Sequence, residues 1–195
     1  MFLSLGIISW FAADFTLLYN YYALGIEEQR LVTITDVLWF AGYGFLALHL
    51  FIVIRSLHIK IKSKLVNVVS IITVIFISYN IVNILSYDFH TDDDFIAIIV
   101  TILYPILDFI LIIPSSIILL TLRKDYEHNI TWSLYSLSLL VNSIADDGYV
   151  KDFVTGNSEN LWFWKLFYIT DFIILSGALL WYNKFRISNP KEIKI

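Results

Sequence analysis

Six long apolar runs alternate with short polar breaks along this chain, and that rhythm predicts six helices. The runs fall at about 2–24, 32–55, 65–87, 95–122, 132–152 and 161–183. Each is close to or above the roughly 20 residues that cross a hydrocarbon core. The breaks are polar or charged, and none has room for a separate domain. The fourth run is the longest and holds Pro105 and Pro114, where a kink is expected because neighbouring helices can re-satisfy freed carbonyls. The expected fold is all-α: a polytopic bundle of six transmembrane helices in a single domain over residues 1–185. Residues 186–195 would form a short cytoplasmic tail.

Composition agrees. The chain is 58% hydrophobic and 15% charged, with mean hydropathy +0.75, whereas a soluble domain carries about 25% charge. With no cysteine, disulfides, thiolate metal sites and cysteine nucleophiles are excluded. The start, MFLSLGIISWFAADF, lacks a basic segment and holds Asp14 in its apolar stretch. It reads as a retained first helix rather than a cleaved leader.

Charge distribution sets orientation. Arg55, Lys60, Lys62, Lys64, Arg123, Lys124, Lys184, Arg186, Lys191 and Lys194 fall on one side of the alternation, against Arg30, Lys151 and Lys165 on the other. Cytoplasmic loops are enriched in Lys and Arg, so both termini are expected in the cytoplasm of a cell membrane. The outer breaks are acidic, with Asp88 and Asp92 to Asp94. Trp162, Trp164 and Tyr168 at one end of the last run, with Trp181 and Tyr182 at the other, fit interfacial anchoring.

Five aspartates interrupt the apolar runs: Asp14, Asp108, Asp146, Asp147 and Asp171. A carboxylate near a bilayer centre costs about 2.5–3.5 kcal/mol on insertion scales, so these residues are expected to face the bundle interior. Aromatic donors stand near them at helical spacing. Tyr104 and Asp108 are four apart, Asp146 and Tyr149 three, Tyr168 and Asp171 three, and Trp10 precedes Asp14 by four. Such pairs share a helix face. The ligand-binding candidates are therefore Asp14, Tyr104, Asp108, Asp146, Tyr149, Tyr168 and Asp171. No run carries a lysine or arginine at matching depth. Two readings stay open: neutral carboxyls tying helices together, or a pocket for a cation, proton or polar ligand.

The first two runs echo the last two. Ala13-Asp14 corresponds to Ala145-Asp146, and Leu38-Trp39-x3-Tyr43 to Phe163-Trp164-x3-Tyr168. Copies four helices apart cross in the same direction, which makes this a parallel pseudo-repeat of helices 1–2 and 5–6. The set Tyr104-Pro105-x2-Asp108, Arg123, Ala145-Asp146-x2-Tyr149 and Trp164-x3-Tyr168 resembles the multi-pass membrane sensor region that precedes many prokaryotic diguanylate cyclases and histidine kinases. The likeness covers residues 95–185 well and 8–55 loosely, the first half showing Asp36-x2-Trp39-x3-Tyr43. Two departures matter. Leu161 stands where the family has an acidic residue, and about a dozen residues follow the last run, too few for an output domain. The resemblance thus implies a sensor that acts through a partner protein.

Other chemistry finds less footing. His49 is the one histidine inside a run, and a bis-histidine haem needs two axial ligands. A retinal Schiff base needs a buried lysine, and Lys165 lies near a run's end. Haem and retinal are therefore not expected, and neither is nucleic acid. Metal binding stays open. No hydrolase, metalloprotease or nucleotide fingerprint is present, so catalysis is not assigned. The expected function is a membrane sensor-like or ligand-binding module in the lipid bilayer. The alternatives are an intramembrane lipid hydrolase resembling the lysoplasmalogenase group, a small transporter or proton pathway, and a structural subunit of a membrane complex.

Overall fold

The computed structural model describes residues 1–25, 33–56, 63–86, 94–122, 126–154, 159 and 161–184. The tail 186–195 and most of the residues that set the charge asymmetry lie outside them. Six helices follow one another: α1 (Phe2–Leu24), α2 (Ile34–Ser56), α3 (Ser63–Leu85), α4 (Asp94–Leu122), α5 (Tyr126–Val154) and α6 (Leu161–Tyr182). Five boundaries fall within a few residues of the apolar runs. α1 stops at Gly25, whose left-handed backbone (φ 64°) turns its N–H back onto the Asn20 carbonyl; glycine adopts that conformation without a Cβ penalty. α4 remains one helix across Pro105 and Pro114.

α5 departs most from expectation. It begins at Tyr126, six residues before the apolar run, and bends at Asn129 (φ −121°, ψ 19°). The lead-in Tyr126 to Asn129 is polar, so hydropathy alone does not mark it as helix. α5 also carries Ser133, Ser136, Ser138, Asn142, Ser143 and three aspartates, the serines, Asn142, Asp147 and Asp152 all buried. The other five helices are long and apolar enough to cross a membrane. The protein is a multi-pass membrane protein.

The packing explains why α5 can be polar. It lies against α6, α4 and α3, while α4 also touches α2 and α3, and α2 pairs with α1. α5 is thus screened by its neighbours. The outer helices show lipid-type surface instead. α3 buries only a stripe, Val69, Thr73, Ile77, Asn80 and Ile84, spaced at three and four residues as one helix face requires. Its remaining surface includes Ile71, Ile72, Ile75 and Val82; α1 likewise exposes Ile8, Phe11 and Phe15. So much contiguous apolar surface is foreign to a soluble monomer and ordinary against acyl chains. The packed core is Trp10, Tyr43, Leu46, Leu50, Leu111, Ile118, Tyr135, Leu139 and Leu175 with their neighbours.

Candidate functional site: a buried carboxyl and phenol network

Every intramembrane aspartate named from sequence lies at least partly buried. Asp108 and Asp171 are fully enclosed and Asp147 is 3% exposed; Asp14 and Asp146 are half-buried. Their donors, however, come mainly from other helices.

Asp146 is the hub. Its Oδ2 accepts the Tyr43 hydroxyl of α2 and the Asn142 amide one turn back on α5, at 2.8 Å. Its Oδ1 accepts the Tyr168 hydroxyl of α6. Tyr43 OH also stands 3.0 Å from Asp108 Oδ1 on α4. Four helices therefore meet through two carboxyls, two phenols and one amide. No backbone contact joins α2 to α5, so the Tyr43 ring itself spans that gap. Trp10 holds the ring edge-on at 5.4 Å.

Further contacts flank this centre. The Trp39 indole donates to Asp14 Oδ1 at 3.1 Å, while Trp10 donates to the Trp39 carbonyl at 3.3 Å. Tyr104 OH donates to Asp36 Oδ1 at 2.8 Å. Asp36 also accepts the Thr33 backbone N–H at 2.8 Å, an N-cap arrangement with the third helical residue reaching back. Its carboxylate thus both caps α2 and anchors α4. Toward the opposite end, Ser138 donates to Asp171 Oδ1. Near the end of α5, the Trp164 indole donates to Asp152 Oδ2 at 2.6 Å.

The same-helix pairing expected from spacing is replaced by these bonds. Tyr104 reaches Asp36 rather than Asp108, Tyr168 reaches Asp146 rather than Asp171, and Trp10 reaches a backbone carbonyl rather than Asp14. Side chains on one face project together toward the neighbouring helix, so a partner across the interface meets the donor's tip. Tyr149 lies edge-on to Tyr168 at 6.2 Å. Tyr43, Trp39, Asp36, Asn142 and Ser138 take part in the network without having been site candidates. Tyr43 and Trp39 could have been found from the W-x3-Y pattern, and Asn142 from its four-residue spacing to Asp146.

Two close approaches lock this geometry. A β-carbon at Gly42 would overlap the Trp10 ring, and one at Gly148 the Trp164 ring. Small residues at helix contacts allow such approach in membranes. His49 packs against Tyr135 at 5.3 Å and Trp132 at 5.9 Å.

Among the described residues the cations are Arg55, Lys64, Lys151, Lys165 and Lys184, all toward helix ends. Asp14, Asp108, Asp146 and Asp171 are met by neutral donors instead. No group of three or more His, Asp or Glu gathers to hold a metal among the described residues. The chain matches no protein-family model, no curated protein and no solved structure. What stands is a multi-pass membrane protein with a buried, hydrogen-bonded Asp/Tyr/Trp network.

Proposed function

We propose that this protein is a sensor-like, ligand-binding membrane module that acts through a partner protein. Its pocket would centre on Asp108, Asp146 and Tyr168, with Tyr104, Tyr149, Asp14 and Asp171 around them. One observation carries the reading: Asp146 takes donors from α2, α5 and α6, while Tyr43 links it to Asp108 on α4. A ligand that competes for any of these bonds changes how four helices are held. The sequence likeness to membrane sensor regions supports the same reading.

The test uses spin labels at Arg55→Cys on α2 and Leu180→Cys on α6, sites toward the same end of the bundle. Electron–electron distances are compared at pH 5.5 and 8.0, in sodium and choline chloride, and with added lipid extract. At least one condition should shift the mean distance by about 2 Å, the scale of helix shifts in switching proteins, and Asp146→Asn should abolish that shift. A distribution unmoved by every condition, or moved equally in the variant, overturns the reading. Electrogenic flux without helix movement would point to a transporter; lipid turnover lost on Asp108→Asn would point to a hydrolase.

The topology proposed with it has six crossings and both termini in the cytoplasm, since ten of the thirteen Lys and Arg fall on that side. Cysteines at Ser63 and Thr91 of this cysteine-free chain would be probed on intact cells with an impermeant thiol reagent. Thr91 should label and Ser63 should not; the reverse pattern inverts the protein.

A further inference from the structure

We propose that Asp108, Ser143 and Asp147 form a binding site for a hard monovalent cation, at the contact between α4 and α5. It rests on the pocket reading above in that this ion would be a ligand of the pocket.

Ser143 and Asp147 are four residues apart on α5, hence on one face. The Ser143 hydroxyl lies beside the Asp108 carboxyl of α4 without completing a hydrogen bond to it. Asp108 also lies within electrostatic reach of Asp147. Ser143 and Asp108 are fully enclosed and Asp147 is 3% exposed. Four oxygens of this trio have no hydrogen-bond partner: Asp108 Oδ2, Ser143 Oγ, and both Asp147 carboxylate oxygens. The adjacent Asp146 is the opposite case, with both oxygens occupied by donors. Two carboxylates one residue apart on the same helix are thus treated differently. One belongs to the hydrogen-bond network, and the other brings two oxygens and no donor to a buried place.

Unpartnered buried acceptors are costly, and paired carboxylates repel strongly where the dielectric is low. A cation relieves both penalties at once. The donor set selects its type. Hard cations prefer carboxylate and hydroxyl oxygen over imidazole or thiolate, and the trio offers oxygen only. Mutual repulsion of two close carboxyls in a low dielectric keeps a proton on one of them, and the single negative charge that is left matches a monovalent cation. Lys151, one turn beyond Asp147, sits 6.0 Å from the centroid of the Tyr79 ring of α3.

The experiment melts the detergent-purified protein at pH 8 by tryptophan fluorescence, replacing choline chloride with sodium chloride at fixed ionic strength. Sodium should raise the midpoint by roughly 3–6 °C near saturation. The rise should vanish in Asp147→Asn, shrink in Ser143→Ala, and persist in Thr170→Ala, whose hydroxyl bonds the Leu166 carbonyl of its own helix. If Asp147→Asn does not fold, sodium-23 line broadening in wild type against Ser143→Ala decides the matter, with broadening lost in the variant if the site is real. No rise with sodium, a rise of equal size in Asp147→Asn, or a response to pH alone overturns the proposal. The two readings fail separately. Sodium stabilisation without movement of the spin-labelled helices leaves the site and removes the sensor, whereas helix movement under another stimulus without sodium stabilisation does the reverse.

Discussion

The hairpin α1–α2 and the hairpin α5–α6 share two kinds of side-chain contact and use them differently. Each stacks an indole on a glycine of the partner helix, Trp10 on Gly42 and Trp164 on Gly148. Each sends a tryptophan N–H to an aspartate of the same pair, Trp39 to Asp14 and Trp164 to Asp152. The centre is where they part. α1–α2 contributes a donor, Tyr43, that leaves its own pair for the carboxyls of α4 and α5. α5–α6 contributes the acceptor, Asp146, with Tyr168 as one of its own donors. Asp14, which the sequence echo aligns with Asp146, takes the Trp39 bond at the side of the network. Similar short motifs thus yield one carboxyl that ties a pair and another that ties the bundle.

That contrast is open to measurement, and its largest expected effect comes from the two aspartates. Asp146→Leu strands three donors, Tyr43, Asn142 and Tyr168. Hydrogen bonds between membrane helices average about 0.6 kcal/mol and reach about 1.7 each, so the variant should lose roughly 2–5 kcal/mol of stability. Asp14→Leu strands one indole on a half-buried residue and should cost about 1 kcal/mol. Unfolding titrations in mixed detergent micelles compare the two. Equal losses would mean that Asp146 is no hub and that the hairpins are energetically equivalent.

The residues themselves explain what could be read in advance. Five helices were legible because lipid demands long apolar runs. The start of α5 was not, because Tyr126 to Asn129 is polar and the helix bends at Asn129. The interior placement of Asp108 and Asp171 was legible from the cost of a carboxyl in hydrocarbon. Their partners were not, because periodicity reports which side chains share a face and not which helix lies opposite. Tyr104 illustrates the limit: four residues from Asp108 in sequence, it reaches Asp36, 68 residues away. Serines tell the same story. Ser138 and Ser143 look like ordinary small packing residues, yet one donates to Asp171 and the other stands beside Asp108.

The smaller effects lie at the two glycines and separate the hairpins by rigidity. Alanine at either one places a β-carbon inside an indole, and overpacking of this kind costs about 1–3 kcal/mol. The outcome depends on whether the indole can retreat. Trp10 is 6% exposed and is wedged against Tyr43, so it has nowhere to go without moving the phenol that joins Asp108 and Asp146. Trp164 is half-buried and can shift outward, giving up its bond to Asp152. Gly42→Ala should therefore fall near the top of that range and Gly148→Ala near the bottom, about 1 kcal/mol. Gly44 and Gly177 supply the baseline. A β-carbon there meets nothing within 4 Å, and alanine's better helix propensity should make both variants neutral or more stable by up to about 1 kcal/mol. Unfolding titrations of the four variants, followed by tryptophan fluorescence, rank them directly. If Gly148→Ala proves as costly as Gly42→Ala, Trp164 is as firmly held as Trp10, and the hairpins differ in their hydrogen bonding but not in how tightly their indoles are locked.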